Sequence, residues 1–91
     1  MVQNRYYWLI LTILEADTGQ SKEDFHIYFR SKYLFATKEI NGEMIEYTRS
    51  TTELSTLEME DYLSKIRMFG SSELGCFLPL PNETIHDFLK L

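Results

Sequence analysis

The stretch of residues 6–14 constrains the fold most strongly, because every residue in it except Thr12 is apolar or aromatic. Residues 6–17 contain no Gly or Pro, so the stretch favours a helix whose apolar surface runs nearly all the way round. Such a helix lies at the centre of a core or is shared with a second molecule. A membrane-spanning helix needs about 20 apolar residues, which this stretch does not have. The sequence therefore predicts a buried first helix.

Length and composition limit the size of the domain that contains this helix and the ligands that it can attract. The chain has 91 residues, which predicts a single domain over residues 1–91. Cys76 is the only cysteine, so no disulfide forms within the chain, and a reducing, cytoplasmic location is expected. The formal net charge of -5 excludes attraction of the whole molecule to nucleic acid or to an anionic membrane. A site for a polyanion must then be a local patch.

A second helix and a hairpin are predicted next. The capping pattern from Ser21 to Asp24 begins a helix over residues 22–34, with arginine and lysine on its outer side. Asn41-Gly42 is the strongest hairpin signal in the chain, since both residues accept the positive φ of a type I′ turn. Short antiparallel strands are expected over residues 37–40 and 44–48. The inward-facing side chains of the helix are Phe25, Tyr28, Phe29 and Tyr33.

A third helix has the clearest start in the chain. Ser55 and Glu58 form a capping box, and Leu54 is placed to contact Met59 as a hydrophobic staple. Gly70 or Gly75 is expected to end the helix, and one short turn is expected after Asn82 through residues 88 and 89. The fold class predicted is therefore α+β, a three-helix core with one β-hairpin between helices 2 and 3.

Groups typical of catalysis are sparse. His26 and His86 lie sixty residues apart, and neither has a second ligand at metal-binding spacing. Cys76 precedes Phe77 and Leu78, which favours a small buried side chain over a nucleophile. Glu58, Glu60 and Asp61 fit the first turns of a helix, where carboxylates complement the dipole. We therefore expect no enzyme activity, no metal and no cofactor.

Two polar clusters carry the remaining functional signal. Gln3-Asn4-Arg5 stands at the start of the apolar helix, and Arg49-Ser50-Thr51-Thr52 stands just before the third helix. Each combines a guanidinium with short polar side chains on irregular backbone beside a helix amino end, an arrangement that holds phosphate oxygens. Turn formation and capping explain the same residues. Arg5 and Arg49 are the expected phosphate contacts, with Lys32 and Lys38 in support. Trp8 is expected in the core, and base stacking is its alternative role.

These residues also carry a family resemblance that spans nearly the whole chain. Its most specific parts are the Gln-Asn-Arg-Tyr-Tyr-Trp start and the Ser-Thr-Thr segment followed by a helix ending in Ile-x-x-Phe-Gly. The matching segments are Gln3 to Trp8, Thr18-Gly19 with Ser21, Glu23 and His26, Arg49 to Thr52, Leu54 to Thr56, Ile66-Arg67 with Phe69-Gly70, and Pro81-Asn82-Glu83. The chain resembles the NinB-type (lambda Orf-like) phage recombination proteins, as a short form or a core fragment.

The resemblance implies a non-enzymatic recombination mediator in the cytoplasm of a bacterial host cell. It implies binding of single-stranded DNA, a homodimer, and cooperation with the host single-strand binding protein. Gln3, Asn4, Arg5 and Trp8 match the family's opening motif, and Ser50 and Thr51 match its second motif. Family members carry a strand-forming segment ahead of the first motif, where this chain has two residues. Glu53 stands where a basic residue is expected.

Two other classes of function are open to the chain, a protein-binding adaptor or inhibitor and a metal-dependent nuclease. A phage adaptor or inhibitor would bind a host protein and no nucleic acid, and the acidic composition favours it. A mediator should place Arg5, Arg30, Lys32, Lys38 and Arg49 on one face, whereas an adaptor would scatter them and expose an apolar groove. A metal-dependent nuclease would require a histidine to converge with at least two carboxylates.

Overall fold

The structure is a computed structural model and describes residues 2–81. Its three helices are α1 (Val2–Thr18), α2 (Lys22–Tyr33) and α3 (Thr56–Glu73). Strands β1 (Phe35–Ile40) and β2 (Glu43–Thr48) lie between α2 and α3, and a short 3₁₀ helix (Thr51–Glu53) precedes α3. The predicted α+β fold, three helices with a hairpin between the second and third, is confirmed. The turn expected after Asn82, together with His86, lies outside the described residues.

Helix α1 is covered within a single chain. Tyr6, Tyr7, Ile10, Leu11 and Leu14 are at most 1% exposed, because α2 and α3 pack against the side of α1 that carries them. The neighbouring helices contribute Phe25, Phe29, Met59, Tyr62, Leu63 and Ile66 to the same core. Most of the apolar circumference of α1 is therefore buried within one chain, and Trp8, Leu9 and Ile13 are half-buried. The homodimer stays a prediction.

The beginning of α1 differs from the expectation. Gln3, Asn4 and Arg5 were expected on irregular backbone, but they lie within α1, which already begins at Val2. Good helix formers at positions 3 and 5 and the absence of a capping Ser, Thr or Asp ahead of them explain why the helix extends over this segment. Their side chains are therefore presented at helical spacing, with Gln3 half-buried and Asn4 and Arg5 exposed.

Capping chemistry fixes the ends of α2 and α3. The Ser21 hydroxyl accepts a hydrogen bond from the Asp24 amide, at 3.1 Å. Both bonds of the predicted box between Ser55 and Glu58 are present, at 3.0 and 3.2 Å. Helix α3 passes through Gly70 and ends before Gly75, whose φ is 61°. Gly70 allows Leu78 of the following segment to pack closely on α3, since a Cβ at this position would lie 2.8 Å from Leu78 Cδ1.

The hairpin is an exposed two-stranded sheet. Asn41 and Gly42 have φ values of 52° and 80°, as the type I′ turn requires. The register pairs Phe35 with Thr48 and Ile40 with Glu43, so both strands are longer than predicted. Only residues near its base, such as Ala36 and Tyr47, are half-buried. The hairpin therefore leaves both faces open toward its tip.

No helix within residues 2–81 has the length and apolar character needed to cross a membrane.

Candidate nucleic-acid interface

The two polar clusters meet in the folded chain. Gln3 and Asn4 of α1 line a cavity of about 350 Å³ together with Thr51 and Thr52 of the 3₁₀ helix. The Gln3 side-chain amide also donates a hydrogen bond to the carbonyl oxygen of Thr56, at 3.4 Å. Leu54 and Met59 complete the wall, as expected from the staple. Segments that are far apart in the sequence thus form one polar site beside the amino end of α3.

Local hydrogen bonds shape the segment between the hairpin and α3. The Ser50 hydroxyl accepts a bond from the Thr52 amide at 3.3 Å and lies 2.8 Å from the Thr52 hydroxyl. The Ser50 carbonyl oxygen accepts a bond from the Glu53 amide, at 3.0 Å. Ser50 therefore caps the 3₁₀ helix, which is the role that turn chemistry predicts for it. Thr51 and Thr52 are the residues of this segment that face the cavity.

Arg49 directly precedes this segment in the chain but lines a different cavity, with Glu58 and Lys65, and its charge is already paired. Its guanidinium lies 2.7 Å from a carboxylate oxygen of Glu58 and donates a longer bond, 3.4 Å, to the carbonyl oxygen of Glu53. The hydrogen bond from Arg49, followed by the bonds from Ser55, lowers the pKa of Glu58 to about 2, and the same pair raises the pKa of Arg49. A phosphate that binds Arg49 must therefore compete with Glu58.

The remaining predicted cations lie on other parts of the surface. Lys32 lies against the seam between α2 and α3, with its ammonium 5.5 Å from the centroid of the Phe69 ring. Lys38 lies on the hairpin, 5.1 Å from the centroid of the Tyr47 ring. Arg5 is exposed on α1. The structure thus brings Gln3, Asn4 and Thr51 together in one cavity. The other predicted site residues lie outside its lining: Arg5, Lys32, Lys38, Arg49 and Ser50.

Some contributors to the site were missed at the level of sequence. Glu58 was assigned to the capping box alone, although its second carboxylate oxygen holds Arg49. Arg30 donates a hydrogen bond to the carbonyl oxygen of Arg49, at 3.1 Å, and so ties α2 to the base of the hairpin. The only sequence signal for the first contact was an arginine shortly before a capping-box glutamate. No sequence signal indicated the second.

No family model, curated protein or solved structure matches the chain. The NinB-type resemblance therefore stays a prediction, carried by the motifs themselves.

A chain of hydrogen-bonded polar side chains lies within the core. The Tyr7 hydroxyl lies 2.6 Å from Nδ1 of His26 and 3.0 Å from the Tyr62 hydroxyl. Burial lowers the pKa of His26, and the positive charge of Arg30 lowers it further. The Tyr7 hydroxyl is thus the central member of the chain and is hydrogen-bonded to both other groups. Trp8 packs on this cluster, with its ring centroid 4.8 Å from that of His26. It was predicted in the core but is half-buried at the edge of the core.

The surroundings of Cys76 and of the acidic side chains do not favour catalysis or metal binding in the described part of the chain. Cys76 is buried at 5% exposure, as predicted, and burial, with a smaller contribution from Asp17, raises the pKa of its thiol. This environment disfavours the thiolate that a nucleophile needs. Within the part of the chain that the structure describes, no three His, Cys, Asp or Glu side chains form a group that could hold a metal ion.

Proposed function

We propose that the chain is a phage-derived accessory recombination protein, a mediator that binds single-stranded DNA and the host single-strand binding protein as a homodimer. The observation that carries the proposal is the convergence of the two motif segments on one cavity. Gln3 and Asn4 offer amide donors there, and Thr51 and Thr52 offer hydroxyls. These groups suit phosphate and sugar oxygens, which receive most of the hydrogen bonds in protein–DNA complexes.

Arg49 supplies the charge in this proposal. Its side chain is 29% exposed and its ion pair with Glu58 is exposed as well, so a phosphate can reach the guanidinium. Exposed ion pairs are worth at most about 1 kcal/mol, which a bound phosphate can replace. The nearby carboxylates of Glu53 and Glu58 oppose the incoming phosphates. We therefore expect weak binding that salt abolishes easily.

The test is a titration of a fluorescently labelled single-stranded oligonucleotide, followed by anisotropy at about 50 and 200 mM salt. Arg49→Ala should flatten the logarithmic salt dependence by about 0.7, the value for one phosphate contact with a single strand. Lys22→Ala is the control, because Lys22, at the start of α2, lines neither the proposed cavity nor the neighbouring one that contains Arg49. Its loss should leave the slope unchanged.

Glu58→Gln provides the complementary test. Glutamine at this position keeps an oxygen for the Ser55 amide and so preserves the capping box. It removes the carboxylate that competes for Arg49, and affinity should rise by up to about fivefold, the value of an exposed ion pair. Glu53→Arg should also strengthen binding, since a cation replaces an anion beside the same phosphates.

The partner protein is tested separately. The single-strand binding protein of a bacterial host is titrated with the chain, alone and on the oligonucleotide, in an analytical ultracentrifuge. A mediator forms a complex with that protein or with the coated strand. If neither complex forms while the naked oligonucleotide binds, the partner part of the proposal is wrong.

A second candidate, a protein-interaction adaptor, has one observation in its favour. Lys32, Lys38 and Arg49 contact three different parts of the surface, the α2–α3 seam, the hairpin and the amino end of α3. This scatter is what we expect of an adaptor. Undetectable oligonucleotide binding by wild type, Glu58→Gln and Glu53→Arg at low salt would reject the mediator and favour the adaptor.

A further inference from the structure

One face of the hairpin carries an apolar surface with one charge of each sign. Cross-strand partners share a face, so the register places Ala36 with Tyr47, Lys38 with Ile45, and Ile40 with Glu43 on the same side. Ile40 and Ile45 are 49% and 37% exposed. An isolated two-stranded hairpin is only marginally stable in water, and an exposed apolar face adds no stability until something covers it.

The charges on this face are not satisfied by each other. Lys38 contacts the Tyr47 ring, and within residues 2–81 neither Lys38 nor Glu43 takes part in an ion pair. The pairs Lys38–Ile45 and Ile40–Glu43 form the four corners of a square on this face, and Lys38 and Glu43 occupy one of its diagonals. Ile40 and Ile45 occupy the other diagonal.

We propose that this face is the contact between two copies of the chain. A two-fold axis that lies in the plane of the contact, along the Ile40–Ile45 diagonal, brings each isoleucine against the same isoleucine of the other copy. The same axis sets Lys38 of each copy opposite Glu43 of the other, twice, as a self-complementary interface requires. The strands of the two hairpins then cross steeply, one of the two usual arrangements of packed sheets.

The opposite face of the hairpin does not allow this pairing. It carries Glu39 and Glu46, with no lysine or arginine among its strand residues. A two-fold contact there would bring carboxylates together without a cation, which is unfavourable. Phe35 and Met44 on that side are separated by the pair of Thr37 and Glu46, so they form no continuous apolar surface. Charge thus selects the face with Ile40 and Ile45.

The size of this face limits the strength of the dimer. Each strand has six residues, so the face is about 20 Å long at about 3.4 Å per residue. A face of this length that is only two strands wide, with the strands about 4.8 Å apart, offers far less area than the roughly 800 Å² that each partner buries in a standard interface. We therefore expect a dissociation constant on the order of micromolar, with a reversible dimer at tens of micromolar.

The test is sedimentation equilibrium of the whole chain with a pair of charge reversals. Lys38→Glu and Glu43→Lys should each raise the dissociation constant by about tenfold or more, because each places like charges opposite one another. The double variant restores opposite charges at both contacts and should dimerise like wild type. Ile45→Thr, which keeps a β-branched side chain and removes apolar surface, should also weaken the dimer.

Glu46→Lys is the matched control, because it reverses one charge on the other face of the same strand. It should leave the dissociation constant unchanged, and circular dichroism shows whether each variant is folded. A monomeric wild type at tens of micromolar, or folded single reversals that dimerise like wild type, would overturn the proposal. So would a double variant that stays monomeric.

This inference rests on the proposed homodimer and is separable from DNA binding. Lys38 and Glu43 lie outside the cavity formed by Gln3, Asn4, Thr51 and Thr52. A Glu43→Lys variant that is monomeric but binds the oligonucleotide supports both proposals. A wild-type dimer that the single reversals dissociate, but that binds no oligonucleotide, supports the hairpin contact and rejects the mediator.

Discussion

The substitution Tyr7→Phe removes a single hydroxyl group and should lower the free energy of unfolding by more than the loss of one hydrogen bond would. Tyr7 is fully buried, and its hydroxyl is the middle member of the chain that joins Tyr62 to His26. The substitution keeps the ring and its packing. It leaves the Tyr62 hydroxyl without its partner in the core, and it leaves Nδ1 of half-buried His26 to find water.

The magnitude follows from counting those losses. A hydrogen bond contributes about 1 kcal/mol net, and an unsatisfied buried hydroxyl costs about 1–3 kcal/mol. We expect Tyr7→Phe to lower the free energy of unfolding by about 2–3 kcal/mol. Tyr62→Phe is the control, because it removes the end of the chain and leaves the bond from Tyr7 to His26 in place. Its expected cost is about 1 kcal/mol.

Urea denaturation followed by tryptophan fluorescence measures both values, since Trp8 packs on His26 within this cluster. The melting temperature should fall by about 10 °C or more for Tyr7→Phe, given about 4–8 °C per kcal/mol for a domain of this size. Equal costs for Tyr7→Phe and Tyr62→Phe would refute the central position of Tyr7 in the chain. A cost below about 0.5 kcal/mol for Tyr7→Phe would show that water reaches the cluster.

Three further predictions concern the same scaffold. The pKa of His26 is lowered in the folded chain, so neutral His26 contributes to the free energy of unfolding above its unfolded pKa of about 6.5. This contribution is lost as pH falls through the folded pKa. His26→Asn keeps an acceptor near the position of Nδ1 and should reduce the fall of the melting temperature at acidic pH. An unchanged dependence of the melting temperature on pH would show that another group causes it. Ser55→Ala removes the cap of α3 and should cost about 1 kcal/mol in urea denaturation, and no loss would contradict the observed cap. Trp8→Ala should cost less than the roughly 3–5 kcal/mol of a fully buried tryptophan, because Trp8 is only half-buried, and thermal denaturation measures the difference.

The sequence predicted the elements that depend on local chemistry. The box of Ser55 and Glu58 and the positive φ of Asn41 and Gly42 are properties of short segments, so their positions were readable without tertiary structure. The burial of Tyr7 also followed from the apolar stretch around it. Local patterns therefore gave the fold class and the order of elements.

The missed features depend on contacts between distant segments. Helix α3 ends before Gly75, the second of the two glycines expected to end it, whereas the close packing of Leu78 on Gly70 was not readable from the sequence. The pairing of Arg49 with Glu58 required the path of the chain through the 3₁₀ helix. The polar residues Gln3 and Thr51 were identified as candidates, but only the folded chain shows that they line one cavity.

The most direct test of the proposed DNA site is a two-dimensional NMR titration of ¹⁵N-labelled chain with a single-stranded oligonucleotide at low salt. The largest shift changes should fall on the amides of residues 3–5 and 49–53, with the Gln3 and Asn4 side-chain amides among them. Those changes should disappear when salt is raised, because phosphate contacts carry the binding. Changes confined to the seam around Lys32 and Phe69, or no changes in the two motif segments, would contradict the account.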